Sequence, residues 1–490
     1  MLRPGRYRQH SAPRAARQLH ATAPQPWTRM LTTVGMGYSS LYLGSSRSGL
    51  FVGTRYILRA QERVRRQRAG LPLEDELYMQ SAPVQARHFD QLLGLDVGTS
   101  NLRLSVAPVS SNRPSFVRII ESADGGREIP AAVAIDNGTV SVGAVARALL
   151  GRKPGHTATA ARLLLGRRPR EDADVDALVE ELPYRVESED DKFALELDGK
   201  TYSPEWAAEI LLEYLHGVAA GSLGEDVQEE LPAVLAVPPG LSDTQYALYE
   251  SVAASAGFHV VSSVAEPVAA VHAAEMWALE ETGSSKPLSS GGVIAVFDMG
   301  GFTSTVSLVQ RKKMSYTLLG SLTSSQISGR HVDDKLFKLA VGKFQDEFGI
   351  DLSIDYMASY RILEAVETAK KELSSRRSTD INLPFITADH TGAKHLVQKL
   401  STFDVDRAYE QPAKDALTLC NRVLEEAKLR KSDVKVLLVV GGGARAEFLR
   451  KELEMFFALA AFQTKDFRPE EAVVVGAAEF GRRLVQREDE

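Results

Sequence analysis

The sequence of 490 residues contains a single cysteine, Cys420, which excludes an intramolecular disulfide. A chain without disulfides fits a reducing compartment. Cys420 is interpreted as a small core residue near a helix rather than as a reactive thiol. With 44% hydrophobic and 25% charged residues, the composition is that of a globular protein with two or three core-bearing units.

Acidic residues are missing from the start of the chain. None precedes Glu62, and residues 1–90 hold 14 Arg and no Lys against 5 acidic residues, a net charge of +9. Because the whole chain has a formal net charge of −6, the remaining residues carry −15. An acidic body repels phosphate backbones, which argues against a core that binds nucleic acid.

The composition of residues 1–29, rich in Arg with Ser and Ala but no acids, is that of a mitochondrial transit segment. A disordered basic tail is the alternative. We expect the protein in the mitochondrial matrix or associated with the inner membrane. Residues 30–46 are uncharged but slightly short for a membrane span, and Arg47 interrupts the apolar continuation. Residues 30–90 are therefore interpreted as an extension that contacts a partner, with membrane contact through residues 30–58 as the alternative.

The first motif with chemical content is Leu92–Ser100, an apolar run that ends in Asp96 and a Gly98-Thr99-Ser100 tip. Apolar residues alternate after the tip, so the pattern predicts a β-hairpin. Backbone N–H groups and hydroxyls at such a tip form an anion site, and the carboxylate suits a hydrated Mg²⁺. Taken alone, the motif also fits an ordinary hairpin with a buried Asp.

The pattern recurs at Ile294–Ser307, where a strand ends in Asp298 and is followed by Gly300 and Gly301. Two such hairpins are able to hold one polyphosphate between two half-domains. A third glycine turn, Gly441–Arg445, follows the strand Val436–Val440 and opens an amphipathic helix, Glu447–Phe457. Glycine turns at helix starts bind phosphate through N–H groups and the helix dipole.

Apolar periodicity predicts alternating strands and helices after Leu92, as in α/β layers. The predicted helices are Pro204–Gly221, Asp243–Ala256, Tyr356–Ser374 and Asp404–Lys428. Strands are predicted at Val234–Val237 and Thr379–Phe385, and the Gly/Ser-rich loop Thr282–Gly292 is the predicted boundary between two lobes.

From about Leu92 to about Leu484 the chain resembles the nucleotide-binding domain of the 70-kDa heat-shock chaperone (DnaK) family, in the actin and sugar-kinase superfamily. Motifs in family order carry the resemblance: GLDVGTS at 94–100, REIP at 127–130, VGAVA at 142–146, LLGRR at 164–168, AVP at 236–238, EPVAA at 266–270, FDMGG at 297–301, ETAKKELSS at 367–375, VVGGGAR at 439–445 and PEEAV at 469–473.

The resemblance implies an α/β fold of the actin-like ATPase type, with two lobes of mixed β-sheets and flanking helices around a nucleotide cleft. Lobe I would comprise about 91–281 and 466–490, and lobe II about 282–465. The chain ends six residues after Leu484, so we expect no β-sandwich substrate-binding domain.

The implied ligand is ATP or ADP with Mg²⁺. The resemblance implies that one helix face forms a shelf beside adenine and ribose, with the residues Glu367, Lys370, Lys371 and Ser374. Without the resemblance, the residue types alone would place this charged face in solvent. The resemblance assigns the other residues as follows: the second adenosine wall, Gly441, Gly442 and Arg445; the Mg²⁺ water shell, Asp96 and Asp298; the phosphate loops, Gly98, Thr99, Ser100, Gly300 and Gly301; the reaction centre, Arg162, Glu266 and Thr303. Glu470 stands where the family usually has an Asp near the nucleotide, which is a mild change.

Three positions near the transferring phosphoryl group depart from the family pattern. Arg162 stands where the family has its catalytic lysine, and a planar guanidinium does not replace a compact ammonium that positions water. Thr305 replaces an Asp that binds the metal's water shell and a monovalent cation. Phe302 replaces a glycine at the tip of the second phosphate loop, where a large side chain restricts the approach of the backbone. Phosphoryl transfer depends on positioning and electrostatics, so we expect weak or no hydrolysis.

These observations favour a degenerate, chaperone-type nucleotide-binding protein that acts as a structural or accessory subunit of a mitochondrial assembly. One alternative is an active, truncated heat-shock-type chaperone ATPase that assists protein folding or import. A sugar kinase is disfavoured, because no sugar-site motif stands out.

Overall fold

The computed structural model describes residues 90–109, 117–224, 230–284, 288, 292–312 and 315–488. The interpretations of residues 1–29 as a transit segment and of 30–89 as an extension therefore lie outside the described residues. Within the described ranges, no helix is both long enough and apolar enough to span a membrane.

Eighteen strands and ten α-helices form within those ranges. In chain order the strands are Gln91–Val97 (β1), Asn101–Pro108 (β2), Arg118–Ile120 (β3), Ile129–Pro130 (β4), Ala132–Asp136 (β5), Thr139–Val142 (β6), Thr157–Thr159 (β7), Arg185–Glu189 (β8), Lys192–Leu197 (β9), Lys200–Tyr202 (β10), Leu231–Val237 (β11), Phe258–Ala265 (β12), Val293–Met299 (β13), Ser304–Lys312 (β14), Ser315–Ser324 (β15), Ser378–Asp389 (β16), Gly392–Ser401 (β17) and Val434–Val440 (β18). The helices are Ala144–Leu150 (α1), Ala173–Val179 (α2), Pro204–Leu223 (α3), Asp243–Ser255 (α4), Glu266–Thr282 (α5), Gly329–Phe348 (α6), Tyr356–Glu372 (α7), Thr402–Glu426 (α8), Glu447–Phe457 (α9) and Ala472–Glu488 (α10).

Two mixed sheets repeat one arrangement of strands. In the first sheet, of order β12-β11-β1-β2-β3, β1 pairs antiparallel with β2 and parallel with β11. In the second, of order β15-β14-β13-β18, β13 pairs antiparallel with β14 and parallel with β18. Each sheet thus contains one of the two predicted hairpins, β1–β2 and β13–β14. We call the halves of the molecule built on these sheets lobe I and lobe II.

Each lobe has its own core, and a third cluster joins the two. The largest clusters of buried apolar side chains lie within residues 93–258 and within residues 293–461. The joining cluster brings α5 and α10 against β13 and β18. The lobes are therefore joined through α5 and α10, and a cleft lies between the two hairpins. The exact lobe boundaries given above stay a prediction.

Local sequence signals explain where several helices begin. Helix α3 has Pro204 at its first position, and the Ser203 hydroxyl accepts a hydrogen bond from the Trp206 N–H. Helix α4 begins with a capping box between Ser242 and Gln245. A residue with a side-chain acceptor at these positions satisfies an N–H group that the helix leaves unpaired.

The predicted α/β class with two lobes of mixed sheets is confirmed. The four helices predicted from periodicity and the helix Glu447–Phe457 are present with ends within a few residues of the predictions. The strand predicted at Thr379–Phe385 continues to Asp389 as β16, across an irregularity in its pairing with β17 between Leu383 and Thr387. Cys420 is fully buried on α8, as expected of a core residue, and burial raises the pKa of its thiol to about 12.

Candidate functional site

A cleft of about 1420 Å³ lies between the two hairpins and gathers the predicted site residues. All twenty residues assigned a role above, or marked as departures, line it: Asp96, Gly98, Thr99, Ser100, Arg162, Glu266, Asp298, Gly300, Gly301, Phe302, Thr303, Thr305, Glu367, Lys370, Lys371, Ser374, Gly441, Gly442, Arg445 and Glu470. The structure therefore brings these positions to one place, and their individual roles stay predictions.

Two carboxylates lie at equivalent places in the two hairpins. Asp96 is 7% exposed near the end of β1, and Asp298 is half-buried near the end of β13. Burial raises the pKa of Asp96 to about 6, against the opposing charge of Arg103. Burial and the negative charges of Glu266 and Asp96 raise the pKa of Asp298 to about 7. For both carboxyls, burial outweighs the nearby charges of Arg103 and Arg162 and favours the protonated form.

This environment fits a hydrated divalent cation. Among the described residues, Asp298 makes no side-chain hydrogen bond or ion pair, although two acids lie close enough to raise its pKa. The described part of the chain contains no group of three Asp, Glu, His or Cys side chains that would ligate a metal directly. Beside phosphates, Mg²⁺ commonly keeps several of its water ligands and is held by one or two carboxylates. Asp96 and Asp298 are the residues that would hold this shell.

The tips of the two hairpins touch across the cleft. A Cβ atom added to Gly301 would overlap the Ser100 hydroxyl and lie 2.9 Å from Ser100 Cβ. The second tip is a tight turn, closed by a hydrogen bond of 2.9 Å from Gly300 N to Thr303 O. Only a residue without a side chain allows the two phosphate loops to approach this closely.

The start of α6 supports the second tip from behind. The backbone N–H groups of Gly329 and Arg330 donate hydrogen bonds of 3.0 Å to the carbonyl oxygens of Gly300 and Gly301. The Ser328 side chain caps the same helix by accepting a hydrogen bond from His331 N. Two carbonyl groups of the tip are therefore turned towards α6.

The charged face of α7 is paired rather than simply solvated. Glu367 accepts a hydrogen bond from Arg147 of α1 and forms an ion pair of 3.0 Å with Lys371. Burial favours the neutral acid, but the charges of Arg147 and Lys371 outweigh it and lower the pKa of Glu367 to about 2. Lys370 donates 2.8 Å to Asp333 of α6. This face therefore connects lobe II to lobe I and also lines the cleft.

The third glycine turn forms another part of the cleft wall. Arg445 and Glu470 form an ion pair, with Nε donating to Oε2 at 3.0 Å. Gly441 has φ +80, and a Cβ at this position would overlap Asp298 Oδ1 and the Met299 carbonyl. The turn thus requires glycine, and it places the wall directly against one of the two carboxylates. A short 3-10 turn, Gly442–Arg445, lies between this glycine and α9.

At the predicted reaction centre, Arg162 and Glu266 pair with each other. Arg162 Nη1 donates 2.6 Å to Glu266 Oε1, and the side chains are 10% and 14% exposed. Burial would lower the pKa of Arg162, but the Glu266 carboxylate outweighs it, so the pKa of the guanidinium is raised. Arg162 lies in a short 3-10 turn, Ala161–Leu164, and Glu266 is the first residue of α5.

The other two departures each have a defined environment. Phe302 is half-buried, packs against the core of lobe I, and has the Arg330 guanidinium carbon 5.4 Å from its ring centroid. Arg330 in turn donates 3.2 Å to the Glu181 carbonyl of lobe I. Thr305 lies directly across from Asp298 in the sheet, and its hydroxyl is 2.9 Å from that of Thr323. Phe302 thus bridges the cleft, and the strand position beside Asp298 carries no charge.

Sequence reasoning assigned no role to several charged residues that line the cleft, among them Arg103, Arg127, Glu128 and Arg147. Arg103 lies directly across from Asp96 in the β1–β2 pairing, and Glu128 accepts 2.7 Å from it. Arg147 reaches α7, and Arg127 donates 2.7 Å to the buried Glu471. In a hairpin with its tip at residues 98–100, Arg103 is expected across from Asp96, and side chains that lie across from each other share one face of the sheet. This position of Arg103 was therefore predictable. The other three depend on contacts between distant segments.

The repeated hairpins, the paired carboxylates and the glycine wall define a nucleotide-binding protein of the actin-like ATPase fold. The chain belongs to the Hsp70 family, because the family model described as Hsp70 protein matches residues 92–488. The resemblance expected over about 92–484 is confirmed. Hsp70 domains are chaperone-type ATPases that bind ATP or ADP with Mg²⁺.

Proposed function

We propose that the protein binds ADP or ATP in this cleft as a structural ligand, hydrolyses it weakly or not at all, and serves as an accessory subunit of a mitochondrial assembly. The ion pair of 2.6 Å between Arg162 and Glu266 carries the proposal. The guanidinium and the carboxylate form a charge-assisted hydrogen bond. A carboxylate that already accepts such a bond is a weaker acceptor for the proton of attacking water.

The contacts around Phe302 support the loss of hydrolysis. Phosphoryl transfer is accelerated by groups already placed around the transferring phosphoryl group. Phe302 brings an apolar ring to the tip of the second phosphate loop, and Thr305 leaves the position beside Asp298 without charge. Loss of one preorganised electrostatic group commonly costs about 10²–10³ in rate.

Contacts between the two lobes along the cleft support a structural role for the bound nucleotide. The Tyr356 hydroxyl donates 3.0 Å to the Leu150 carbonyl, and the Tyr360 hydroxyl donates 2.9 Å to the Arg147 carbonyl. These bonds add to the pairing of Arg147 with Glu364 and Glu367. Contacts that hold the two lobes together restrain opening of the cleft and slow release of its ligand, which suits a nucleotide that stabilises the fold.

The partner and compartment rest on the N-terminal composition. The Arg-rich, acid-free residues 1–29 favour mitochondrial import, and residues 30–90 are the proposed contact with a protein partner. The net charge of −15 over the remaining residues argues against a nucleic-acid partner. A reporter fused to residues 1–29 is expected in mitochondria, and a cytosolic reporter would contradict the localisation.

Affinity purification of the tagged chain from mitochondria tests the accessory role. We expect stable protein partners at defined stoichiometry, a complex that survives the triple substitution Arg162→Lys, Phe302→Gly and Thr305→Asp, and a complex weakened by deletion of residues 30–90. A free monomer in the extract would contradict the role and favour the chaperone-type ATPase instead.

A further inference from the structure

Arg103 places a fixed positive charge beside one of the two carboxylates. The β1–β2 register makes Asp96 and Arg103 direct cross-strand partners, so both side chains face the cleft. Arg103 Nη1 lies 3.8 Å from Asp96 Oδ2, and the side chain is 12% exposed. The guanidinium therefore lies where a cation beside Asp96 would otherwise balance the carboxylate.

The guanidinium is oriented but largely unused. Its Nη2 group donates 2.7 Å to Glu128 Oε2, the hydrogen bond that fixes the plane of the fork. Within the described residues, this is the one hydrogen bond that Arg103 makes. A guanidinium has five N–H donors in a rigid fork that matches phosphate oxygens. Arg103 thus has N–H donors available for phosphate oxygens, and it lines the same cleft as the two phosphate loops.

The second hairpin shows what is particular about this position. There the cross-strand partner of Asp298 is Thr305, whose hydroxyl is bonded to Thr323. One hairpin therefore carries its own cation and the other carries none. The positive charge at the phosphate end of the cleft is covalently part of lobe I.

We propose that Arg103 binds the nucleotide phosphates directly and supplies positive charge that a divalent cation otherwise supplies, so that ADP binds with little dependence on Mg²⁺. The proposal rests on the proposed binding of nucleotide in this cleft. Charge-assisted, bidentate contacts to phosphate are among the stronger hydrogen bonds in proteins. Glu128, as a positioning residue, keeps the fork aimed along the cleft wall.

The test is calorimetric titration of the full chain with ADP and with adenosine, each in Mg²⁺ and in EDTA. For the unmodified chain, EDTA is expected to weaken ADP binding by less than about tenfold. Arg103→Gln is expected to weaken ADP binding about 10–100-fold in EDTA, with most of the loss restored by Mg²⁺. Adenosine binding is expected to be unchanged, because adenosine has no phosphate. Arg103→Lys should keep part of the effect, since it keeps the charge but not the fork.

Arg127→Gln is the matched control, because Arg127 is another lobe I arginine that lines the cleft and bonds a carboxylate, Glu471, outside the Asp96–Asp298 pair. It should leave the Mg²⁺ dependence of ADP binding as in the unmodified chain. The proposal is overturned if the unmodified chain depends on Mg²⁺ as steeply as Arg103→Gln does. It is also overturned if that variant binds ADP more tightly in both buffers, which would make Arg103 an obstacle. Absence of ADP and adenosine binding by the unmodified chain in Mg²⁺ would instead overturn the proposed nucleotide binding itself.

Discussion

The Arg162 guanidinium donates a hydrogen bond of 2.6 Å to the Glu266 carboxylate, and both side chains are largely shielded from water. A shielded pair of this kind is strongly coupled, since removing one partner leaves an uncompensated charge in a low-dielectric site. The pair therefore has consequences for stability as well as for hydrolysis.

Removing one member of this pair should destabilise the fold more than replacing both. We expect Glu266→Gln to lower the free energy of unfolding by about 3–5 kcal/mol, because Arg162 then keeps its charge without a carboxylate. The double variant Arg162→Met with Glu266→Gln should recover most of that loss. Denaturant unfolding of the nucleotide-free protein measures both. Equal destabilisation by the single and double variants would show that the pair is not coupled.

Asp298 should make the unliganded protein less stable as pH rises. Burial, then the charges of Glu266 and Asp96, raise the pKa of this carboxyl to about 7 from the usual 3.8, although Arg162 and Arg103 oppose the shift. The folded chain therefore holds a proton that the unfolded chain releases, and the stability gained below pH 3.8 is lost between pH 3.8 and about 7.

Asp298→Asn tests this pH dependence. We expect the variant to have a midpoint of thermal unfolding higher than the unmodified protein above pH 7, on the order of 2 °C or more, with the difference disappearing towards pH 4. Asp346→Asn, on the exposed side of α6, is the control. A pH-independent difference between Asp298→Asn and the unmodified protein would contradict the raised pKa.

Gly301→Ala should prevent the two phosphate loops from meeting. The added Cβ would lie 2.9 Å from Ser100 Cβ, a clash that rotation of the Ser100 hydroxyl does not relieve. We expect ADP affinity to fall by about tenfold or more, because a displacement of the loops removes backbone donors from the phosphates. Gly155→Ala is the control, since Gly155 is not among the residues that line the cleft and its Cβ would meet nothing within 4 Å. Similar affinities for the two variants would mean that loop contact does not matter for binding.

Phe302→Gly should speed nucleotide release. The ring joins the tip of lobe II to the core of lobe I and stacks near Arg330, so its loss removes apolar contact across the cleft. Burial of part of an aromatic side chain contributes roughly 1–2 kcal/mol, which corresponds to about a tenfold faster dissociation rate. Stopped-flow release of a fluorescent ADP analogue measures this rate. Slower or unchanged release would contradict the bridging role of Phe302.

Much of the site was predictable because its residues occur in short local motifs. Asp96 and Asp298 each follow an apolar strand and precede a glycine tip, so their positions in the two hairpins follow from local sequence. Gly441 was recognisable because a turn between a strand and a helix needs a residue that tolerates positive φ. The strand alternation after each tip also made Arg103 and Thr305 accessible to prediction as cross-strand partners.

What sequence did not reveal is how distant segments pair. Arg147 and Glu367 are 220 positions apart, yet they form a hydrogen bond that connects lobe I to lobe II. The packing of Phe302 on lobe I was also not predictable, since sequence periodicity gives no information about the contacts of a residue at a loop tip. The predicted strand, Thr379–Phe385, is shorter than β16 for the same reason. The pairing of β16 with β17 is irregular between Leu383 and Thr387, and its continuation beyond Thr387 depends on contacts with β17.

The loss of ATP hydrolysis is tested most directly by single-turnover hydrolysis of ATP by the purified full chain, compared with the triple variant Arg162→Lys, Phe302→Gly and Thr305→Asp. We expect the unmodified chain to retain ATP or ADP in Mg²⁺ but to cleave ATP very slowly, and the triple variant to cleave it faster by about 10² or more. Rapid cleavage by the unmodified chain, at a rate the triple variant does not increase, would contradict the proposed loss of hydrolysis.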